Sequence, residues 1–188
     1  MQILTKSELQ ANLTRIAEQV RNGAVFIYPT DTIYGIGCNA LDNKAVDKVR
    51  QLKERPTNPF SIIVPSKEWI VKNCIITKET KEWLSKFPGP YTLIFKLKNE
   101  NAVAKSVNQG EETIGVRIPD HWFSKIVRDL GFPIVTTSAN RAARPFMTSL
   151  EDLDPKIKEE VDFIIYEGGK KGRPSKIINL VEGKIKER

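Results

Sequence analysis

Polar side chains able to bind a small molecule cluster directly behind apolar runs in this chain. PTDTIYGIG (29–37) places Thr30, Asp31, Thr32 and Tyr34 after the apolar run AVFIYP (24–29). Three hydroxyls and a carboxylate fall within five residues, and Gly35 and Gly37 let backbone approach a ligand. The same residues also suit a capped turn with its hydroxyls bonded to backbone. LKERP (52–56) offers Lys53 and Arg55, which either complement a helix dipole or, with Pro56 turning the chain away, form a phosphate clamp of one point charge and one planar fork. Arg117, between Val116 and Ile118, needs an anion if it is buried, either a protein carboxylate or a ligand's. In VTTSAN (135–140), Ser138 and Asn140 share one face if the segment is extended, or Asn140 caps a following turn. GRPSKIIN (172–179) pairs a basic turn with Ser175, and by itself reads as well as a surface turn. Together these hydroxyls, one amide and three cations suit a small zwitterion beside a nucleotide. Neither G-x-x-x-x-G-K-[ST] nor G-x-G-x-x-G occurs.

The elements that must carry these residues follow from periodicity. Ser7 with Gln10 reads as a capping box before Leu9, Leu13, Ile16, Ala17 and Val20 at helical spacing, and Gly23 ends that helix. A second helix from about Asn43 turns Ala45, Val46, Val49 and Leu52 inward and stops at Pro56. Further helical stretches are expected near 66–72, 78–86 and 121–130. Strands are expected at 24–29, 60–64, 91–98, 113–118, 133–138, 162–166 and 175–181, and RAARPFMTS (141–149) as an exposed loop. Strands alternating with helices argue an α/β class, a twisted open sheet of mixed parallel and antiparallel strands, in a single domain over 1–188. In such sheets the ligand crevice lies at strand carboxyl ends, where these polar clusters sit.

Composition narrows the chemistry. The 188 residues carry 30 Lys+Arg against 23 Asp+Glu, a formal +7. No apolar stretch approaches the roughly 20 residues of a membrane span, and MQILTKSELQ lacks a secretory core, so a cytoplasmic protein off the membrane is expected. Cys38 and Cys74 are the only cysteines and His121 the only histidine, too few for a four-ligand Cys/His zinc site. A hydrolase triad would have to use His121, and no nucleophile elbow accompanies it. Magnesium remains open, because phosphate oxygens supply most of its ligands.

PTDTIYGIGCNA, KERP, PGPYTLIFK, TIGVRIPDH, TTSAN and PSKIINL occur in order over essentially the whole chain. The set closely resembles the YrdC/Sua5 family, the threonylcarbamoyl-AMP synthases. The resemblance implies a YrdC-like α/β sheet with a large basic concave cleft. It implies a reaction joining L-threonine, bicarbonate and ATP, with Mg2+, into threonylcarbamoyl-AMP and pyrophosphate. A separate transferase would use that product to make t6A at adenosine 37 of tRNA. By the same resemblance Lys53, Arg55, Asn58, Thr113, Ser138, Asn140 and Arg188 would serve ATP, with Lys53 and Arg55 balancing charge in catalysis. Thr32, Arg117, Thr136 and Ser175 would hold threonine, its carboxylate on the Arg117 fork. No protein metal ligands are implied.

Departures from the family pattern fall at three places. Longer Sua5-type members carry a C-terminal extension for which this length leaves no room, so the short YrdC type is expected. FSIIV replaces a segment with a histidine, so Ile63 or a neighbour replaces a threonine contact. RAARPF sets Phe146 where a serine would meet nucleotide. Two rivals stand beside this reading. One is an RNA-binding module using Lys170, Lys171, Arg173 and Lys176, or direct tRNA binding by the enzyme itself. The other is a YciO-like or hydrogenase-maturation relative with different substrates.

Overall fold

The computed structural model describes residues 1–186. Ten strands form one sheet: β1 (Gln2–Leu4), β2 (Phe26–Tyr28), β3 (Gly35–Gly37), β4 (Ser61–Ile63), β5 (Tyr91–Lys96), β6 (Thr113–Arg117), β7 (Ile134–Ser138), β8 (Phe163–Ile165), β9 (Lys176–Asn179) and β10 (Lys184–Lys186). Their order is β1-β8-β2-β3-β7-β4-β6-β5-β9-β10. Parallel pairs (β1/β8, β2/β8, β4/β6, β5/β9) mix with antiparallel ones (β2/β3, β3/β7, β4/β7, β5/β6, β9/β10). The mixed α/β sheet expected from sequence is what forms, with β1, β3 and β10 added.

Among the described residues eight α-helices accompany it: α1 (Lys6–Ala11), α2 (Leu13–Arg21), α3 (Asn43–Lys53), α4 (Lys67–Asn73), α5 (Lys78–Ser85), α6 (Lys105–Asn108), α7 (Phe123–Leu130) and α8 (Pro155–Glu160). The first capping box is Thr5 with Glu8, not Ser7 with Gln10: Glu8 N–H donates to Thr5 Oγ1 at 3.2 Å, and Thr5 N–H to Glu8 Oε2 at 2.7 Å. The expected single helix is two, because Asn12 leaves the helical region and its amide bonds back to Glu8 and Leu9 carbonyls. Gly23 does end α2, at φ +89.

Register fixes what each sheet face carries. Ser61 pairs with both Gly115 and Thr136, and Gly35 pairs with Ser138, so alternate residues of β3, β4, β6 and β7 share a face. On the opposite face Ile27, Ile36, Ile62, Leu93, Val116 and Val135 are fully buried with Val46 and Val49 of α3. On the first face Phe26, Tyr28, Ile63, Ile134 and Phe163 pack with Leu9, Ile16, Val20, Phe123 and Val127 from α1, α2 and α7. Tyr28 stacks on Phe123 at 4.5 Å between ring centres, and Phe26 on Phe163 at 5.0 Å. Each such large side chain contributes about 1.5–3 kcal/mol on burial. The remaining part of that face is polar: Ser61, Arg117, Thr136, Ser138 and, by the β5 register, Thr92.

Candidate active site

Two depressions meet at Ser138. The smaller, a cavity of about 110 Å³, has walls that include Thr30, Ser61, Thr92, Arg117, Thr136, Ser138 and Ser175, with Ile33, Tyr34, Phe146 and Pro174 as apolar lining. One water needs only about 10–15 Å³ measured this way, so the cavity has room for a small organic molecule. The larger, about 600 Å³, is lined by Lys53, Glu54, Arg55, Asn58, Ser138 and Asn140 among others.

Arg117 ends β6 on the polar face, 6% exposed. Its Nη2 donates to Asp31 Oδ1 at 2.9 Å and to Thr32 Oγ1 at 3.2 Å, so the anion it requires is supplied here by the protein. Its buried Nε has no hydrogen-bond partner. Burial lowers the guanidinium pKa, and Asp31 opposes that. Asp31 is held from its other oxygen as well: Asp31 Oδ2 accepts from Asp120 N–H at 3.0 Å. Thr30 has one hydroxyl hydrogen and gives it to the Ile33 carbonyl at 2.7 Å, which leaves Thr32 as the donor in the 3.0 Å Thr30–Thr32 contact. Thr32 itself is nearly buried beside Arg117 and is not one of the cavity's lining residues. Ser175 and Thr92 hydroxyls lie 2.7 Å apart.

On the side of the larger depression, Lys53 sits in the last turn of α3 and is 3% exposed. Its ammonium donates to the Ser138 and Asn140 carbonyls, each at 2.6 Å, and reaches Asn140 Oδ1 at 3.2 Å. Ser138 Oγ donates to that same Oδ1 at 2.5 Å. Lys53, Ser138 and Asn140 are thus one cluster. Arg55 donates to the Pro59 carbonyl at 2.7 Å and lies over the Phe60 ring. Thr113 begins β6 two residues before Gly115 and is in the lining of neither depression, its hydroxyl donating to Glu111 Oε2 at 3.4 Å. Arg188 lies outside the described residues.

Other sequence expectations meet different outcomes. Ile63 packs in the apolar core, while its neighbour Ser61 faces the cavity. Phe146 lines the small cavity and not the larger depression. RAARPFMTS is largely open, yet Met147 is fully buried. His121 Nδ1 accepts from Phe123 N–H at 3.2 Å, which puts its proton on Nε2, directed at Glu167 Oε1 2.9 Å away. Glu167 also accepts from Trp122 Nε1 at 2.7 Å and Lys170 Nζ at 2.6 Å. Burial works to raise the Glu167 pKa, and these three donors hold it below the usual range instead. His121 therefore anchors the 167–174 segment, whose Gly172 backbone crosses so close to Thr32 that a Cβ would collide with the Thr32 carbonyl. Tyr34 ties the segment further, donating to the Gly168 carbonyl at 2.7 Å, and burial pushes its pKa up to about 12.

Sequence reasoning missed Ser61, Thr92 and Arg50. Arg50 is 6% exposed, lies over Phe60, and donates to the carbonyls of Ser106, Val107, Arg55 and Asn58 at 2.6–3.1 Å, so it shapes the whole 55–59 turn. The signal was present: Val46, Val49, Arg50 and Lys53 follow one helical stripe, with Leu52 off it and only partly buried.

Comparison with known proteins gives the chain its family. A family model covering the Sua5, YciO and YrdC proteins, described as "Telomere recombination", matches residues 18–187. The chain belongs to the Sua5/YciO/YrdC family. A Methanocaldococcus jannaschii relative, named as a candidate threonylcarbamoyl-AMP synthase, is 38% identical over 97% of this chain and 86% of its own. A Pyrococcus abyssi threonylcarbamoyl-AMP synthase is 34% identical over 87% of this chain and 49% of its own. The crystal structure of P. abyssi Sua5 complexed with L-threonine superposes with a TM-score of 0.85 at 30% identity, covering 98% of this chain and 55% of that one. This family member thus spans about half the length of the P. abyssi proteins. The fold is also that of E. coli YciO, at a TM-score of 0.83 and 23% identity, over 98% of this chain and 92% of that one. No helix among the described residues is long and apolar enough to cross a membrane.

Proposed function

We propose that this chain is an L-threonylcarbamoyladenylate synthase, making threonylcarbamoyl-AMP and pyrophosphate from L-threonine, bicarbonate and ATP. The observation that carries the reading is the seam at Ser138: a small hydroxyl-lined cavity holding Arg117 opens beside a depression holding Lys53, Arg55 and Asn140. A zwitterion in the first places its amine toward the second. Names and structures of relatives support the substrate: threonine is bound by P. abyssi Sua5.

The chemistry requires no protein nucleophile. The neutral threonine amine attacks the carbon of bicarbonate, water leaves, and a carbamate forms. A carbamate oxygen then attacks the α-phosphorus of ATP, and the bond to pyrophosphate breaks. The chain positions both partners across the seam. Arg117, in the cavity wall, offers its positive charge to the threonine carboxylate, and Thr136 and Ser175 offer hydroxyls within the same cavity. Lys53 and Arg55 balance the charge that grows on the leaving pyrophosphate. Magnesium would enter as the companion of ATP, held mainly by phosphate oxygens, with the Asn58 and Asn140 side chains as the oxygen donors the depression adds. Bound there, it would supply neutralisation of phosphate charge.

The product is a mixed anhydride suited to a transferase that acylates the adenosine 37 amine of tRNA, which makes that transferase the downstream partner. The test is pyrophosphate release from ATP, omitting threonine and bicarbonate in turn. Release that requires both supports the synthase; release that requires neither contradicts it.

A further inference from the structure

Arg141 follows the Ser138/Asn140 pair but stands behind the larger depression, whose lining takes Asn140, Ala142 and Ala143 and leaves Arg141 out. It faces instead a rear groove with Glu54, Lys156 and Asp162. Its guanidinium forks between two carboxylates: Nε donates to Asp154 Oδ2 at 2.7 Å, and Nη1 to Glu54 Oε1 at 3.0 Å. Each carboxylate belongs to a helix end. Glu54 caps the C-terminus of α3 in the left-handed conformation, φ +52, and stands between Lys53 and Arg55. Asp154 caps the N-terminus of α8 through Lys156 N–H at 3.0 Å.

The same two segments also meet on the front, through Lys53 Nζ and the Ser138 and Asn140 carbonyls, and through Ala142 N–H to the Lys53 carbonyl at 2.9 Å. The front side-chain bonds are made by groups that face the nucleotide, so a phosphate drawing on Lys53 competes with them. The rear fork is centred on Arg141, which lines the rear groove alone and already holds the Glu54 carboxylate at 3.0 Å. Partly exposed ion pairs contribute little to global stability, but a bidentate guanidinium fixes geometry.

We propose that Arg141, acting through Glu54 and Asp154, is a positioning residue that holds the 138–144 loop in register with the Lys53–Arg55 turn for nucleotide binding. The proposal rests on the assignment of ATP to the larger depression. Calorimetric titration with Mg·ATP alone, and separately with L-threonine alone, tests it on wild type, Arg141→Met, Arg141→Lys and Glu54→Gln. Arg141→Met weakens ATP binding about tenfold, as displaced binding groups do, and leaves threonine affinity unchanged. Arg141→Lys restores part of the loss by reaching one carboxylate, and Glu54→Gln gives a smaller loss of the same kind. Equal ATP affinity in wild type and Arg141→Met overturns the proposal, as does an equal loss for ATP and threonine. If Arg141→Met fails to fold, Glu54→Gln at its exposed position decides, and unchanged ATP affinity there overturns it. A wild-type chain without ATP affinity overturns the nucleotide assignment itself and the proposal with it.

Discussion

Arg117 Nη2 and Asp31 Oδ1 lie 2.9 Å apart with both side chains at most a tenth exposed, so the TDT turn and the end of β6 are joined by a buried ion pair whose arginine lines the small cavity. The Arg117 Nε, buried beside the pair, has no hydrogen-bond partner.

Removing one half of that pair exposes its cost. Asp31→Asn leaves a buried guanidinium uncompensated and is expected to destabilise the chain by about 3–5 kcal/mol. Adding Arg117→Met to that variant recovers most of the loss, because both charges are then gone. Urea unfolding of the single and double variants checks the sign; a double variant weaker than Asp31→Asn alone would refute the pairing.

Lys53 and Arg55 are expected to act on chemistry more than on threonine binding. Lys53→Met should lower threonine-dependent pyrophosphate release about a hundredfold or more, in the range of lost electrostatic stabilisers. Threonine affinity should stay close to wild type. Steady-state kinetics beside threonine calorimetry separate the two effects, and intact release in both Lys53→Met and Arg55→Met would remove the clamp from the account.

Gly37 has to be glycine because the sheet closes around it. A Cβ there would lie 2.7 Å from Tyr28 Cε1 and 2.7 Å from the Val135 carbonyl oxygen. Gly37→Ala is therefore expected to cost about 1–3 kcal/mol by overpacking, read from the urea midpoint. Gly110→Ala gives a control for strain without crowding, since its φ is +78 and nothing lies within 4 Å.

Mild acid is expected to loosen the anchor of the 167–174 segment. Burial is the main cause lowering the His121 pKa below its ordinary 6.5, with Glu167 opposing. A proton added at Nδ1 would also displace the Phe123 N–H bond. The folded chain therefore binds this proton less readily than the unfolded chain. Stability from this site is complete above about pH 6.5 and is lost as pH falls toward the folded pKa. Glu167, lowered as well, adds a loss of the same sign below its ordinary 4.5. Thermal melts from pH 7.5 down to 5 check this, and a His121→Gln variant should show a flatter profile above pH 5.

Much of this was legible in the sequence because the informative residues follow apolar strands. Strand alternation in TIGVR and VTTS put Arg117, Thr136 and Ser138 on one face, and the short spacing in KER and SAN brought Lys53, Arg55, Ser138 and Asn140 to one depression. Pairings of high sequence separation were not legible. Asp31 meeting Arg117 joins residues 86 apart, and the Thr92–Ser175 contact joins residues 83 apart; neither leaves a local pattern. Three-residue strands such as β1 and β3 are too short for a period to appear, and β3 is two-thirds glycine. Arg50 was overlooked because a charged residue on an inward helical stripe is read as solvent-facing, although backbone carbonyls satisfy it here.

The most direct test of the central claim follows the carbamate carbon. The chain is incubated with ATP, magnesium, L-threonine and isotopically labelled bicarbonate, and the nucleotide products are separated and weighed by mass spectrometry. The account predicts an AMP conjugate that carries threonine and the bicarbonate label together, and that vanishes when either is omitted. Threonyl-AMP without the label, or AMP alone, would contradict it.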